Sequence, residues 1–197
     1  MKKTAKIIVA LSFPILLIGS SCSKETNSDS SSGNSSDRLH FSFKTPDWER
    51  WVNCELDFPV IALNDSTNVI SFSSASTKAS LFFSYPKDSS KIVNNRELKR
   101  FKIKSFSEND EPFQFSQKLP LDQNSLDDST TKLVSNEGFS ETEYNEVVEV
   151  KYIRSEVNNA VFRVKCIYKL NARIISTPQI SKPVTGTFTF LVRTSKI

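Results

Sequence analysis

The strongest pattern along the chain is alternation with a period of two. In 160–174, Ala160, Phe162, Val164, Cys166, Tyr168, Leu170, Ala172 and Ile174 share one parity, while Arg163, Lys165, Lys169, Asn171 and Arg173 fall on the other. Successive side chains of a strand point to opposite faces, so this stretch reads as a strand with one face in a core and one in water. The pattern recurs in 52–60, where Val52, Cys54, Leu56, Phe58 and Val60 interleave with Asn53, Glu55, Asp57 and Pro59. It returns in 184–192, where Val184, Phe188, Phe190 and Val192 interleave with Thr185, Thr187 and Thr189. Further strands are predicted at 39–43, 68–74, 79–85, 101–107, 112–116 and 143–154. Turn-prone residues at 156–159 separate two long runs, which makes 143–174 one long β-hairpin. Pro178 and Pro183 lack an amide donor, so 176–183 reads as a connection into the final strand.

Helical signals are sparse. Thr45-Pro46-Asp47-Trp48-Glu49 has a capping residue followed by Pro, which predicts a short helix. Asn94 and Glu97 have the spacing of a capping box before Leu98. The stretch 117–138 reads as a polar connection with room for one helical turn. Eight or so strands without helical repeats predict an all-β fold, an antiparallel β-sandwich with one or two short helices; a β-barrel is the alternative.

The first residues follow a different rule. Lys2, Lys3 and Lys6 precede an apolar run from Ile7 to Ile18, and Gly19, Ser20 and Ser21 lead into Cys22. This is the three-part layout of a secretory signal peptide, and its apolar run falls short of the roughly 20 residues that a spanning helix needs. Small residues running into a Cys after an apolar stretch resemble the lipobox of bacterial lipoproteins. Gly19 stands where the usual box has Leu or another branched apolar residue, with Ile18 one position earlier. The resemblance covers about the first 25 residues. It implies cleavage before Cys22, a diacylglycerol on its thiol and usually an acyl group on the new N-terminus. Ser23, rather than Asp, after the Cys implies the outer membrane of a two-membraned bacterium, on its periplasmic or surface-exposed side. Lys24-Glu25 faintly resembles the charged export tag of surface-displayed lipoproteins.

Residues 23–37 (SKETNSDSSSGNSSD) carry no apolar side chain to bury. Such a segment cannot offset its own ordering entropy, and as a flexible coil it would span about 20 Å. The expected division is therefore a signal peptide at 1–21, a lipidated Cys and tether at 22–37, and one all-β domain at 38–197. That domain resembles, generically, small all-β lipoproteins of two-membraned bacteria, with 184–192 (VTGTFTFLV) as the piece most like their closing strand.

Composition narrows the function further. A hydrophobic fraction of 38% with 15 Phe excludes a wholly disordered chain. The formal charge of +4 suggests an anionic partner, but the segment 1–21 holds three basic residues and no acid. Without it the chain has 23 basic and 22 acidic side chains. The basic excess thus belongs to the targeting segment, and nucleic acid is not an expected partner. Lys99, Arg100, Lys102 and Lys104 beside Phe101 and Phe106 read as a charged edge strand rather than a nucleic-acid surface.

Candidate chemistry is thin. His40 is the only histidine, which excludes His-rich zinc sites and leaves a Ser-His-Asp triad without a G-x-S-x-G elbow. Asp127, Asp128, Glu137, Glu141, Glu143, Glu146 and Glu149 follow no calcium-loop pattern, and a glycosidase-like hydrolase finds no more support than that. No catalytic residue, metal site or cofactor is expected. Cys54 and Cys166 both lie on apolar parities, which fits either a disulfide closing a loop of about 112 residues or two separate buried thiols. Trp48 and Trp51, three apart on a short helix, would share a face and could stack on sugar rings; otherwise they dock that helix on the sheet. The resulting reading is a non-enzymatic envelope lipoprotein. Its membrane contact is lipid through Cys22, and its domain is a binding or structural module whose ligand the sequence leaves open; a glycan or another envelope protein is a candidate partner, and a surface glycan-binding module using Trp48 and Trp51 is the alternative.

Overall fold

The computed structural model describes residues 38–54, 60–94 and 100–196. These form one antiparallel sheet of eleven strands: β1 (His40–Lys44), β2 (Glu49–Asn53), β3 (Val60–Ala62), β4 (Thr67–Ser73), β5 (Ser80–Pro86), β6 (Arg100–Phe101), β7 (Phe115–Pro120), β8 (Lys132–Ser135), β9 (Tyr144–Ser155), β10 (Asn159–Ile174) and β11 (Thr177–Ser195). A six-residue helix, α1 (Ser89–Asn94), and a short 3-10 turn at Gln123–Ser125 complete the described elements.

The strand order is β2-β1-β11-β10-β8-β7-β5-β4-β3, with β9 on the other part of the β10 edge and β6 beyond β9. The sheet does not close. It folds over on itself as a sandwich, so the fold expected from the alternation is the one observed, and the barrel alternative is not. β10 makes the corner: Ala160–Lys169 pair with β9, while Ala172–Ile174 pair with β8 in the facing layer. A register shift between Arg173 and Ile174 marks the bend.

Phenylalanine rings fill the space between the layers. Phe72 of β4 lies 5.8 Å from Phe41 of β1 and 6.5 Å from Phe190 of β11. Phe83 of β5 meets Phe188 edge-on at 4.9 Å, and Phe115 of β7 packs on Tyr168 at 4.4 Å. Such ring pairs combine large apolar burial with favourable offset and edge-to-face geometry. The inward parity of β10, from Phe162 to Ile174, is buried throughout, as its alternation required.

Several local expectations are corrected. The helix at 45–49 is a hairpin loop: the Thr45 hydroxyl accepts from the Asp47 and Trp48 amides, and Lys44 pairs with Glu49. The capping chemistry is present, but Glu49–Asn53 alternates and pairs along β1, so the chain turns back instead of coiling. The strand predicted at 52–60 is not continuous; β2 ends at Asn53, β3 begins at Val60, and residues 55–59 lie outside the described residues. Of 101–107 only Phe101 lies in a strand, the end of β6, followed by a bridge at Ile103 and a turn with Ser107 at φ 71°. The helix found is α1, upstream of the capping pair at 94–97, whose residues 95–97 lie outside the description; Asp88 caps it by accepting from the Ser90 amide.

The connection predicted at 176–183 belongs to β11, which pairs with β10 along nearly its whole length. The Asn171 amide donates to Glu143, away from β11, so Asn171 and its partner Pro183 form a non-hydrogen-bonded pair. The missing donor of Pro183 therefore points away from β10, beyond the end of β1, and costs no ladder bond.

Candidate functional site

Cys22, the expected lipidation site, lies outside the described residues, as does all of 1–37. The remaining candidates fall on the β1–β2 corner and in the core. Trp48 is only 7% exposed. Its ring meets Phe43 edge-on at 4.8 Å, and its Nε1 donates to the Pro120 carbonyl at 3.2 Å, tying the hairpin loop to β7. Trp51 sits on the opposite face of β2, half-buried, stacked on the His40 ring at 3.8 Å with its Nε1 donating to Asn53. A strand sends residues three apart to opposite faces, so the two indoles form no common platform. The shared face depended on the helix that the sequence signalled and the hairpin replaced.

Trp48 instead lines a recess of about 230 Å³ with Arg50, Ser76, Thr77, Gln123 and Leu126. The Arg50 guanidinium lies over the indole, 5.5 Å from its centroid. With the Gln123 amide oxygen turned toward it, the two terminal guanidinium nitrogens donate there, at 3.0 and 2.6 Å. That volume holds several water molecules, and its strongest donor is already engaged. The 3-10 turn that supplies Gln123 is held by Asp122, whose side chain accepts from the Asn124 and Ser125 amides. Lys132 closes its other end on the carbonyls of Ser125 and Leu126.

His40 is buried at the base of the Trp51 stack. Its Nδ1–H donates to the Arg38 carbonyl and its Nε2 accepts from the Thr187 hydroxyl, each at 2.8 Å. Desolvation, opposed by the Arg38 bond and aided by the nearby Lys165 charge, lowers its pKa to about 4. The ring is thus neutral at neutral pH and acts as a cross-strand tie between β1 and β11.

Cys54 and Cys166 are fully buried thiols that are not bridged to each other. The Cys54 sulfur donates to the Val52 carbonyl, and Cys166 accepts from the Asn145 amide at 3.8 Å. Burial pushes the Cys166 thiol well above its ordinary pKa, which keeps it protonated and unreactive.

The carboxylates have structural partners. Glu137 pairs with Lys102 and Lys104, Glu141 and Glu146 with Arg100, and Glu149 with Arg163. Glu143 accepts from the Asn171 amide, Asp127 pairs with Lys78, and Asp128 accepts from the amide and hydroxyl of Thr130. Among the described residues, no group of three or more His, Cys, Asp or Glu is placed to hold a metal ion. The same pairs account for Arg100, Lys102 and Lys104. Phe101 packs on Phe113 at 4.8 Å and Phe106 on Phe82 at 5.3 Å, so the aromatic residues of this segment serve packing.

No family model, no curated protein and no solved structure matches the chain. Among the described residues, no helix is long and apolar enough to cross a membrane.

Proposed function

We propose that this chain is an envelope lipoprotein, cleaved before Cys22 and held to the outer membrane by acyl chains on that residue. Its all-β domain serves there as a binding or structural module rather than an enzyme. The observation that carries this reading is the order of the N-terminal chemistry. Basic Lys2, Lys3 and Lys6, the apolar run to Ile18, the small residues 19–21 and Cys22 precede fifteen polar residues and then the first strand. A single acyl chain binds reversibly, whereas two or more anchor firmly, so such a Cys22 suffices to hold the domain. The domain is suited to a static role. Its histidine is a neutral tie, its two thiols are buried, and the candidate carboxylates between Asp127 and Glu149 hold cations, amides and a hydroxyl.

The test is Cys22→Ala. The variant moves from the membrane to the soluble fraction, while the wild type sediments with membranes and carries acyl mass. Unchanged fractionation, with no acyl mass on the wild type, overturns the reading.

A further inference from the structure

One end of the sheet carries a surface that the core does not use. In β9, every side chain from Lys151 to Ser155 is exposed. The turn into β10 then places Val157 at its apex, 92% exposed; behind it on β9, Ile153 is 40% exposed and Tyr152, whose ring meets Phe162 edge-on at 5.7 Å, is 55% exposed. Ile153 stands out of the ladder: Arg154 pairs with Val161 and Tyr152 with Phe162, with a register shift between them. Lys151 and Arg154 lie on β9, Arg193 pairs with Val161 on β10, and the Lys196 amide donates to the Asn158 carbonyl at the turn. Among the described residues at this end, Glu156 bridges Arg154 and Arg193, and Asp88 and Lys87 lie beside Ser195, so the cations still outnumber the carboxylates. Lys196 donates to the Glu156 carbonyl across the turn. An apolar apex beside a tyrosine and several cations is the composition of segments that sit at the level of lipid headgroups.

The path of the chain selects the occupant. β1 runs antiparallel to β11, with His40 opposite Thr189 and Lys44 opposite Thr185. Arg38 therefore lies toward the Ser195 end of β11, and Ser195 pairs with Asn159 beside the apex turn. About four residue rows, or some 13 Å, separate the two levels along the strand. Ile175 and Ile180 are also exposed, but they lie at the opposite end of β11. The segment 22–37 thus joins the domain at the end that carries Val157.

We propose that the tip of the β9–β10 hairpin, with Val157 at its apex, Tyr152, Ile153, Lys151 and Arg154 behind it on β9 and Lys196 beside the turn, contacts the anionic phospholipid surface to which Cys22 is tethered. The tether supplies a high local concentration, so a contact too small to bind alone is enough to set orientation. The proposal rests on the lipoprotein reading above, and it adds which end of the domain faces the lipid.

The experiment uses the acylated mature chain in vesicles of phosphatidylethanolamine and phosphatidylglycerol containing a nitroxide lipid. Val157→Cys and Ile180→Cys are each labelled with an environment-sensitive dye; Cys54 and Cys166 are buried and acylation occupies Cys22, so the label goes to the introduced thiol. The expected result is a blue shift and severalfold greater nitroxide quenching at 157 than at 180. Equal quenching at both positions, or none at 157 on vesicle-bound protein, overturns the proposal and leaves the anchor standing. A shift at 157 that follows protein concentration but not the nitroxide assigns the turn to a second copy and also overturns it. A chain that fails to sediment with the vesicles refutes the anchor itself, and the orientation falls with it.

Discussion

Gly186 offers the sharpest test of how the two layers are held together. It faces inward on β11 between Val184 and Phe188, directly opposite Tyr168 of β10. The Tyr168 ring lies over it, and its hydroxyl donates to the Ser42 carbonyl of β1 at 2.9 Å. A Cβ at 186 would come within 2.1 Å of the Ser42 carbonyl oxygen and 2.6 Å of Tyr168 Cζ. The backbone oxygen cannot rotate aside, so Gly186→Ala must push β1 from β11 or displace a ring packed on Phe115 and Phe188. Overpacking of a filled core costs about 1–3 kcal/mol, and the lost Tyr168–Ser42 hydrogen bond adds about 1 kcal/mol. The expected loss is about 2–4 kcal/mol. For a domain of this size, that lowers Tm by about 5–15 °C. Thermal and urea unfolding of the soluble Cys22→Ala chain, followed by circular dichroism, measures it. Tyr168→Phe removes only the hydroxyl and should cost about 1 kcal/mol. A Gly186→Ala variant within about 0.5 kcal/mol of its parent would refute the close approach.

Two further outcomes follow from the β1–β2 corner. The His40 pKa is depressed to about 4 from an ordinary value near 6.5, so the unfolded chain binds this proton more readily than the folded one. Its contribution is fully present above about pH 6.5 and is lost as pH falls toward 4, up to about 3 kcal/mol. Urea unfolding between pH 7 and 5 should show this slope, and His40→Gln should flatten it; an unchanged slope contradicts the buried neutral ring. Trp48→Ala should cost about 3–5 kcal/mol because it empties a core site, whereas Trp51→Ala removes a half-buried stack worth about 1 kcal/mol. The reverse ranking in urea unfolding would mean the two indoles are placed the other way round.

The strands that the sequence reveals are those with one wet face. β10 alternates because its outward parity meets water, and its hairpin with β9 turns at 156–158, where the pattern breaks. β8 is invisible for the opposite reason. All four of its residues are buried, Lys132 through a stem that carries its ammonium to the Ser125 and Leu126 carbonyls, so no alternation marks it. In β7, Gln117 is buried at the parity shared by Phe115 and Leu119, a polar residue at an inward position that interrupts the pattern. The start of β11 is masked by Pro178 and Pro183, whose tolerance depends on an edge that only the tertiary fold defines. Trp48 and Trp51 show the limit at the candidate site. Thr45-Pro46 signals a helix locally, but pairing with β1 decides the outcome and sends the two rings to opposite faces. The N-terminal pattern, by contrast, is local, and the address we propose for it needs no fold to be read.

Lipidation of Cys22 is read directly from the intact mass of the chain extracted from bacterial membranes. The expected result is the loss of residues 1–21 and a mass increase of a diacylglycerol, with an N-acyl group, on a fragment that begins at Cys22. A chain cut elsewhere, or one beginning at Cys22 with no acyl mass, would contradict it.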